Sequence, residues 1–122
     1  MLSSGACLIK VKDFNKCLEF YQELLNVQAS SLTEGRWAGF NSFGLYCPAY
    51  DIEHNYDLTE FDKELTYGTN MTLVFSTDDI DLEYKRVKNM DIKAITEICT
   101  LDINPVSLYK FFHIKDPEGN LI

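Results

Sequence analysis

The sequence predicts an α+β fold built from two βαβββ modules in one chain, and three observations support this prediction. A strand pattern followed by aspartate and an amphipathic helix occurs twice, at Asp13 and at Asp79, which are 79 − 13 = 66 residues apart. Apolar residues recur every three or four positions in both helices, so each helix has one apolar stripe. The segment 116–119, Asp-Pro-Glu-Gly, has the composition of a tight turn between strands. The modules are predicted at about 5–50 and about 69–122.

The first module begins with a short β-rich segment whose alternate residues, Cys7, Ile9 and Val11, share one face. Asp13 is a good N-cap for the helix that follows, and that helix is expected to pack on this face. The predicted elements are a strand at 6–12, a helix at 14–27, a weak strand at 28–33 and a hairpin of strands 37–40 and 43–47.

Residues 51–68 are predicted to form an acidic connector between the modules, because aspartate and glutamate are interleaved there with aromatic residues. The connector is predicted to be solvated, including His54, with one helical turn at 58–65. The acidic residues lack the loop spacing and the glycine that an EF-hand requires, which disfavours a carboxylate metal site.

The second module repeats the order of the first, with Asp78 or Asp79 as the N-cap of its helix. Its predicted elements are a strand at 71–77, a helix at 80–90, a strand at 92–98, a loop at 100–105, a long aromatic strand at 106–115, and the turn with a last strand after it.

Size and charge limit the possible functions. A chain of 122 residues suits one compact domain. The net charge of −8, from 11 basic and 19 acidic residues, disfavours nucleic acid as a partner, since nucleic acid binding needs a cationic face. No apolar run reaches the roughly 20 residues of a membrane helix, and the N-terminus lacks the apolar region of a signal peptide. The four cysteines have no C-x-x-C spacing, so a cytoplasmic protein with reduced thiols is expected.

Three segments together resemble the vicinal oxygen chelate superfamily: KVKDFNKCLEFYQELLNV, FSTDDIDLEYKRVKN and FFHIKDPEGNLI. That superfamily includes glyoxalase I, bleomycin resistance proteins, fosfomycin resistance enzymes and extradiol dioxygenases. The resemblance covers nearly the whole chain, least clearly 51–68, and the DPEGN turn is its most specific piece. It implies that the modules form a curved mixed sheet shaped like a cup, which holds the ligand. It also implies a homodimer, because a second chain often completes such cups.

Enzymes of that superfamily hold a divalent metal ion on His, Gln or Glu side chains inside the cup. By resemblance, two of these positions fall on Ala6 and Thr72, and another falls on the strand 43–47, which contains no His, Glu or Asp. A last ligand, a Glu, would follow Ile122. A methyl group cannot coordinate a metal and a lone hydroxyl is a poor ligand, so a bound metal is disfavoured. The bleomycin resistance branch, which sequesters a ligand without a metal, is the closer analogy.

The candidate ligand-binding residues are expected to face the cup. In the last long strand, Tyr109, Phe111 and His113 alternate onto one face. A ring with one polar tip is suited to gripping a flat ligand, although ordinary core packing explains such rings equally well. For His113 the alternative is a half-buried strand histidine with a backbone partner. The full candidate set is Trp37, Tyr46, Thr72, Tyr109, Phe111 and His113.

The sequence therefore predicts a metal-independent protein that binds a small aromatic or amphipathic molecule, with no catalytic residue and no cofactor assigned. Two alternatives stay open. One is a metal-dependent lyase or transferase of the glyoxalase type with nonstandard ligands such as His113. The other is a fold used only for contacts with other proteins.

Overall fold

The computed structural model describes residues 7–56, 67–68, 71–92, 94–104 and 107–122, in two compact units, Met1–Tyr67 and Gly68–Ile122. The protein has a mixed α+β fold, as predicted, and no helix in the described ranges is long and apolar enough to span a membrane. The elements are β1 Cys7–Lys10, α1 Phe14–Leu25, β2 Ser31–Thr33, β3 Trp37–Gly39, β4 Phe43–Tyr46, α2 Pro48–Glu53, α3 Ile80–Lys88, β5 Cys99–Asn104 and β6 Ser107–Phe111.

The first unit contains a four-stranded mixed sheet in the order β1-β4-β3-β2. β1 runs parallel to β4, while β3 is antiparallel to both β4 and β2. The predicted hairpin of β3 and β4 is thus confirmed. Its register places Trp37 opposite Tyr46 and Gly39 opposite Gly44. β4 is the strand that joins the N-terminal strand to the rest of the sheet.

Helix α1 begins where the sequence predicts. The Lys16 N–H donates to Asp13 Oδ1 at 3.2 Å, which satisfies one of the unpaired N–H groups of the first turn. The helix ends at Asn26, which has a left-handed backbone conformation with φ of 54°. The Tyr21 ring is fully buried and contacts Phe43 of β4 edge-on, with 5.2 Å between ring centroids. Helix α1 therefore covers the sheet face to which Phe43 points.

Isolated bridges connect segments of the second unit in the same order as the strands of the first. Thr72 forms a parallel bridge with Leu121, which also forms an antiparallel bridge with Lys115. Ile95 and Ile114 form a further antiparallel bridge. Helix α3 follows the segment that contains Thr72, and Asp79 is its N-cap. The duplicated βαβββ pattern is thus seen in the pairing of both units.

The predicted loop at 100–105 is wrong, because β5 continues to Asn104 and pairs with β6 in an antiparallel hairpin. Residues 101–104 alternate leucine and isoleucine with aspartate and asparagine, which suits a strand, and the Asn-Pro step follows. The regular part of the predicted strand 106–115 is β6. Among the described residues of the predicted strand 92–98, which exclude residue 93, only Ile95 forms a bridge.

The tight turn at 116–119 is confirmed. Asp116 is buried, and its Oδ1 accepts from the Glu118 N–H at 2.9 Å and from the Asn120 N–H at 2.8 Å. Gly119 has φ of +86°, a conformation that side chains rarely adopt. The Gly119 N–H donates to the Asp116 carbonyl at 3.0 Å. One aspartate thus fixes the turn, and the chain then returns to bridge with Lys115.

Asp79→Ala is expected to lower the free energy of unfolding by about 1 kcal/mol, the usual effect of losing an N-cap. In the structure the Leu82 N–H donates to Asp79 Oδ1 at 3.0 Å, and the substitution leaves this N–H without its acceptor. The exposed neighbour Asp78 is the control, and Asp78→Ala is expected to change stability by less than about 0.5 kcal/mol. Urea unfolding measures both. A larger loss of stability for Asp78→Ala than for Asp79→Ala would contradict the assignment of Asp79 as the N-cap.

Candidate functional site

The face of the first-unit sheet opposite α1, called the distal face here, carries the first-unit candidate residues. Phe43 and Leu45 point toward α1, so the alternate residues Gly44 and Tyr46 point to the distal face. Residues in register with them share this face. The distal face therefore carries Leu8, Lys10, Ser31, Thr33, Trp37, Gly39, Gly44 and Tyr46.

The Trp37 indole lies against the backbone of two glycines on this face. A Cβ atom added to Gly44 would stand 2.7 Å from Trp37 Cζ3 and 2.8 Å from Cζ2, and one added to Gly39 would stand 3.3 Å from Nε1. These distances are too short for a real Cβ at Gly44, so the ring occupies space that only a glycine leaves open. The indole N–H donates to Ser31 Oγ at 3.0 Å. The ring is thus fixed at its polar end by Ser31 and lies over the backbone of Gly39 and Gly44.

Tyr46 is held next to Trp37 by a buried carboxylate. Its hydroxyl donates to Asp51 Oδ2 at 2.5 Å. Arg36 grips the same carboxylate with two hydrogen bonds, from Nε to Oδ1 at 2.6 Å and from Nη2 to Oδ2 at 3.2 Å. Asp51 is only 3% exposed. The two candidate rings of the first unit therefore lie side by side in register, each with its polar atom hydrogen-bonded to another side chain of the chain.

Electrostatics favour the ionised form of this carboxylate. The Arg36 hydrogen bonds lower the pKa of Asp51 below its usual value, and the Tyr46 hydrogen bond lowers it further, while burial opposes both effects. The same contact raises the pKa of Arg36. An ionised carboxylate has no proton to donate, so the short hydrogen bond must use the phenol proton of Tyr46. The donor and acceptor roles in this network are thus fixed.

The prediction that a solvated connector starts at residue 51 is wrong at its first residue. Asp51 lies in helix α2, which begins with Pro48 directly after β4 and turns the Asp51 side chain back toward Arg36 and Tyr46. The predicted helical turn at 58–65 lies outside the described residues. His54, predicted to be solvated, is exposed, and its ring stacks on Tyr50 with 3.8 Å between centroids.

Arg36 and Asp51 are two site residues that the sequence does not single out. One signal was available: proline is favoured at the first position of a helix, and an acidic residue in the first turn is typical there. The partner of Asp51 carried no such signal, since Arg36 is 15 residues away along the chain.

In the second unit, Phe111 and His113 contact each other edge-on, with 5.2 Å between ring centroids. Phe112, between them in sequence, contacts Tyr84 of α3 at 5.1 Å, so Phe111 and His113 point away from that helix. The backbone N–H of His113 donates to Thr96 Oγ1 at 2.9 Å. Within the described residues, His113 Nδ1 is buried without a hydrogen-bond partner.

The other two second-unit candidates are less completely described. Tyr109 belongs to β6, where its backbone pairs with Leu101. Thr72 is exposed at its bridge with Leu121. The structure therefore brings Trp37 next to Tyr46 and Phe111 next to His113.

The metal positions implied by the resemblance do not fit a divalent ion. Ala6 lies outside the described residues, Thr72 offers one hydroxyl, and β4 offers neither imidazole nor carboxylate. Across the described ranges, no group of three His, Cys, Asp or Glu side chains is arranged to hold a metal ion.

Comparisons with known proteins find one matching family model and several solved structures that are similar to this chain. The family model described as Glyoxalase/Bleomycin resistance protein/Dioxygenase superfamily matches residues 4–122. No curated protein matches the chain. One similar solved structure, from the mobile metagenome of V. pseudocholerae, is 23% identical with a TM-score of 0.67, and the match covers 100% of this chain and 92% of that one.

Two similar structures come from Streptomyces sp. CB03234. An antibiotic-binding protein is 22% identical with a TM-score of 0.58, covering 100% of this chain and 94% of that one. A glyoxalase/bleomycin resistance protein is 21% identical with a TM-score of 0.54, covering 97% of this chain and 96% of that one. At these identities the structures show a shared fold.

Proposed function

Because the chain belongs to the glyoxalase/bleomycin resistance protein/dioxygenase superfamily, we propose that it binds a small molecule on the distal face without a metal ion. The observation that carries this proposal is the pair of adjacent rings, Trp37 and Tyr46, each fixed by an internal hydrogen bond. Side chains already held in place lose little freedom when a ligand binds, which favours affinity. An antibiotic-binding protein of the same fold is consistent with this use of the fold.

The second-unit candidates are proposed as a separate set of ligand contacts: Thr72, Tyr109, Phe111 and His113. Their participation is tested by single alanine substitutions, each of which should weaken binding if the residue touches the ligand. We also propose a cytoplasmic homodimer. Light scattering on the purified protein measures its mass, and a mass of one chain would contradict the dimer.

Trp37→Ala is expected to weaken ligand binding by about tenfold or more, since a ring that contacts an aromatic ligand contributes both apolar area and a specific pair interaction. The experiment screens small aromatic compounds by fluorescence, because Trp37 is the one tryptophan in the chain and reports on its own surroundings. Calorimetry then compares wild type with the variant, with and without a chelator. Phe75→Ala is the matched control, because Phe75 is an exposed ring in the second unit.

Saturable binding that survives the chelator and is weakened by Trp37→Ala alone would support the proposal. Elemental analysis showing about one divalent ion per chain, together with binding lost on chelation, would favour the metal-dependent lyase or transferase instead. Absence of binding across the panel would contradict the proposal and favour a fold used for protein contacts.

A further inference from the structure

We infer that Gly39, Gly44 and Ser31 are positioning residues that hold the Trp37 indole against the sheet, so that the distal face selects planar aromatic ligands over saturated ligands of equal size. This inference rests on the proposed function, because it names the ligand class of the same face. It concerns three residues that were not among the candidates and that need not touch the ligand themselves.

The first step is steric. Trp37 Cη2, Cζ3 and Cζ2 all lie where a side chain at Gly44 would begin, and Nε1 and Cζ2 lie next to the corresponding position of Gly39. These two glycines are opposite each other in the β3–β4 register. The pair therefore makes a depression in the sheet surface that is two strands wide. The indole is seated in this depression, with one face toward the backbone and the other face directed away from it.

The second step concerns the polar hydrogen of the ring. Indole has a single N–H donor and no acceptor. That donor is given to Ser31 Oγ, on β2. Recognition by Trp37 is thereby reduced to its π surface. The hydroxyl of the neighbouring Tyr46 likewise gives its proton to Asp51.

The third step concerns shape. A planar aromatic molecule can lie parallel to a fixed indole with its whole face in contact, and offset-stacked or edge-on rings gain energy beyond the area that they bury. A saturated bicyclic molecule of the same size is thicker and lacks the π quadrupole. It retains the hydrophobic contribution and loses the ring-pair contribution, which corresponds to about two- to tenfold in affinity.

The test titrates isotope-labelled protein with β-naphthol and with decahydro-β-naphthol, which share one carbon skeleton and one hydroxyl group. The chain has one tryptophan, so its single indole N–H resonance reports on Trp37 without ambiguity. We expect β-naphthol to bind about two- to tenfold more tightly and to shift this resonance by its ring current. Burial of apolar area alone predicts equal affinity, or tighter binding of the saturated compound.

Gly44→Ala tests the depression that holds the indole. Its added methyl group must push the indole away from the sheet, so the preference for β-naphthol is expected to disappear. If that variant fails to fold, Ser31→Ala serves instead, at an exposed position on strand β2 that lies at the edge of the sheet. It removes the acceptor of the indole N–H and should reduce the preference, while Ser31→Thr keeps a hydroxyl and should restore it.

Equal affinity of the wild type for the two naphthols would overturn this inference and leave the proposed function standing. Binding of other compounds of the aromatic panel but of neither naphthol would do the same. A preference that persists in both Gly44→Ala and Ser31→Ala would show that these residues do not position the ring. Failure of every compound to bind would instead overturn the proposed function.

Discussion

Leu45→Ala is expected to lower the free energy of unfolding by about 2–5 kcal/mol, the range for a large-to-small change in a well-packed core. Leu45 is 0% exposed and lies in β4, between β1 and β3. Its register partners are Ile9 and Ala38, both buried. Strand β4 is hydrogen-bonded to β1 on one side and to β3 on the other. The backbone around Leu45 therefore cannot move easily to fill the cavity that the substitution leaves. The lost apolar contacts and the remaining cavity both contribute to the cost.

The control for this prediction is the same chemical change at a leucine on the edge of the same sheet. Leu32 is in β2 and is 55% exposed, so Leu32→Ala removes little buried area and should change stability by less than about 0.5 kcal/mol. Urea unfolding followed by circular dichroism measures both variants. Equal losses for the two leucines would contradict the difference in burial between the central strand β4 and the edge strand β2.

Asp51→Asn is expected to lower the free energy of unfolding at pH 7 by about 1–2 kcal/mol, the scale of hydrogen bonds to a charged group. The amide that replaces the carboxylate offers only one acceptor oxygen to three donors from Arg36 and Tyr46, and its own N–H₂ would face a donor. The loss is moderated because the Arg36 side chain is 40% exposed and remains hydrated when its partner changes.

The effect of this substitution should depend on pH in a stated direction. The pKa of Asp51 is lower in the folded protein than its ordinary value of 3.8, chiefly because of the Arg36 hydrogen bonds. Its stabilising contribution is therefore complete above the unfolded pKa and is lost as pH falls through about 4 toward the folded pKa. The difference in unfolding free energy between wild type and Asp51→Asn should narrow below about pH 4.

Glu53→Gln is the control, since Glu53 is an exposed acid on the same helix. Its stability should stay within about 0.5 kcal/mol of wild type at neutral pH. Denaturation series at neutral and acidic pH measure all three proteins. A gap between wild type and Asp51→Asn that stays constant or widens on acidification would contradict the ionised, Arg36-bonded carboxylate.

Local patterns were sufficient for much of the fold. The spacing of apolar residues located α1 and α3, and aspartate before each helix located both N-caps. These features depend on residues within one or two turns of each other, so the sequence contains the whole signal. The extent of β5 is mispredicted, because the predicted loop begins at Thr100, five residues before the proline in the sequence between the two strands.

The candidate site could be predicted only in part. Alternation along β4 and β3 was enough to place Tyr46 and Trp37 on strands, as ring-bearing candidates. The contacts that fix those rings depend on strand register and on the path after β4. Ser31 and Gly44 meet Trp37 only once three strands are aligned, and Asp51 meets Arg36 only because α2 folds back. Such contacts have no periodic signature in a single sequence.

The position of β4 between β1 and β3 constrains the order in which the first unit can assemble on the ribosome. Gly39 pairs with Gly44 across a short hairpin, 44 − 39 = 5 positions apart, whereas Cys7 pairs with Phe43, 43 − 7 = 36 positions later. Closing the longer loop costs more chain entropy, so the hairpin should form before β1 docks. A nascent chain that stops short of Phe43 holds β1 and α1 with no ladder for the strand to join. The first-unit sheet can therefore be completed only after β4 has emerged.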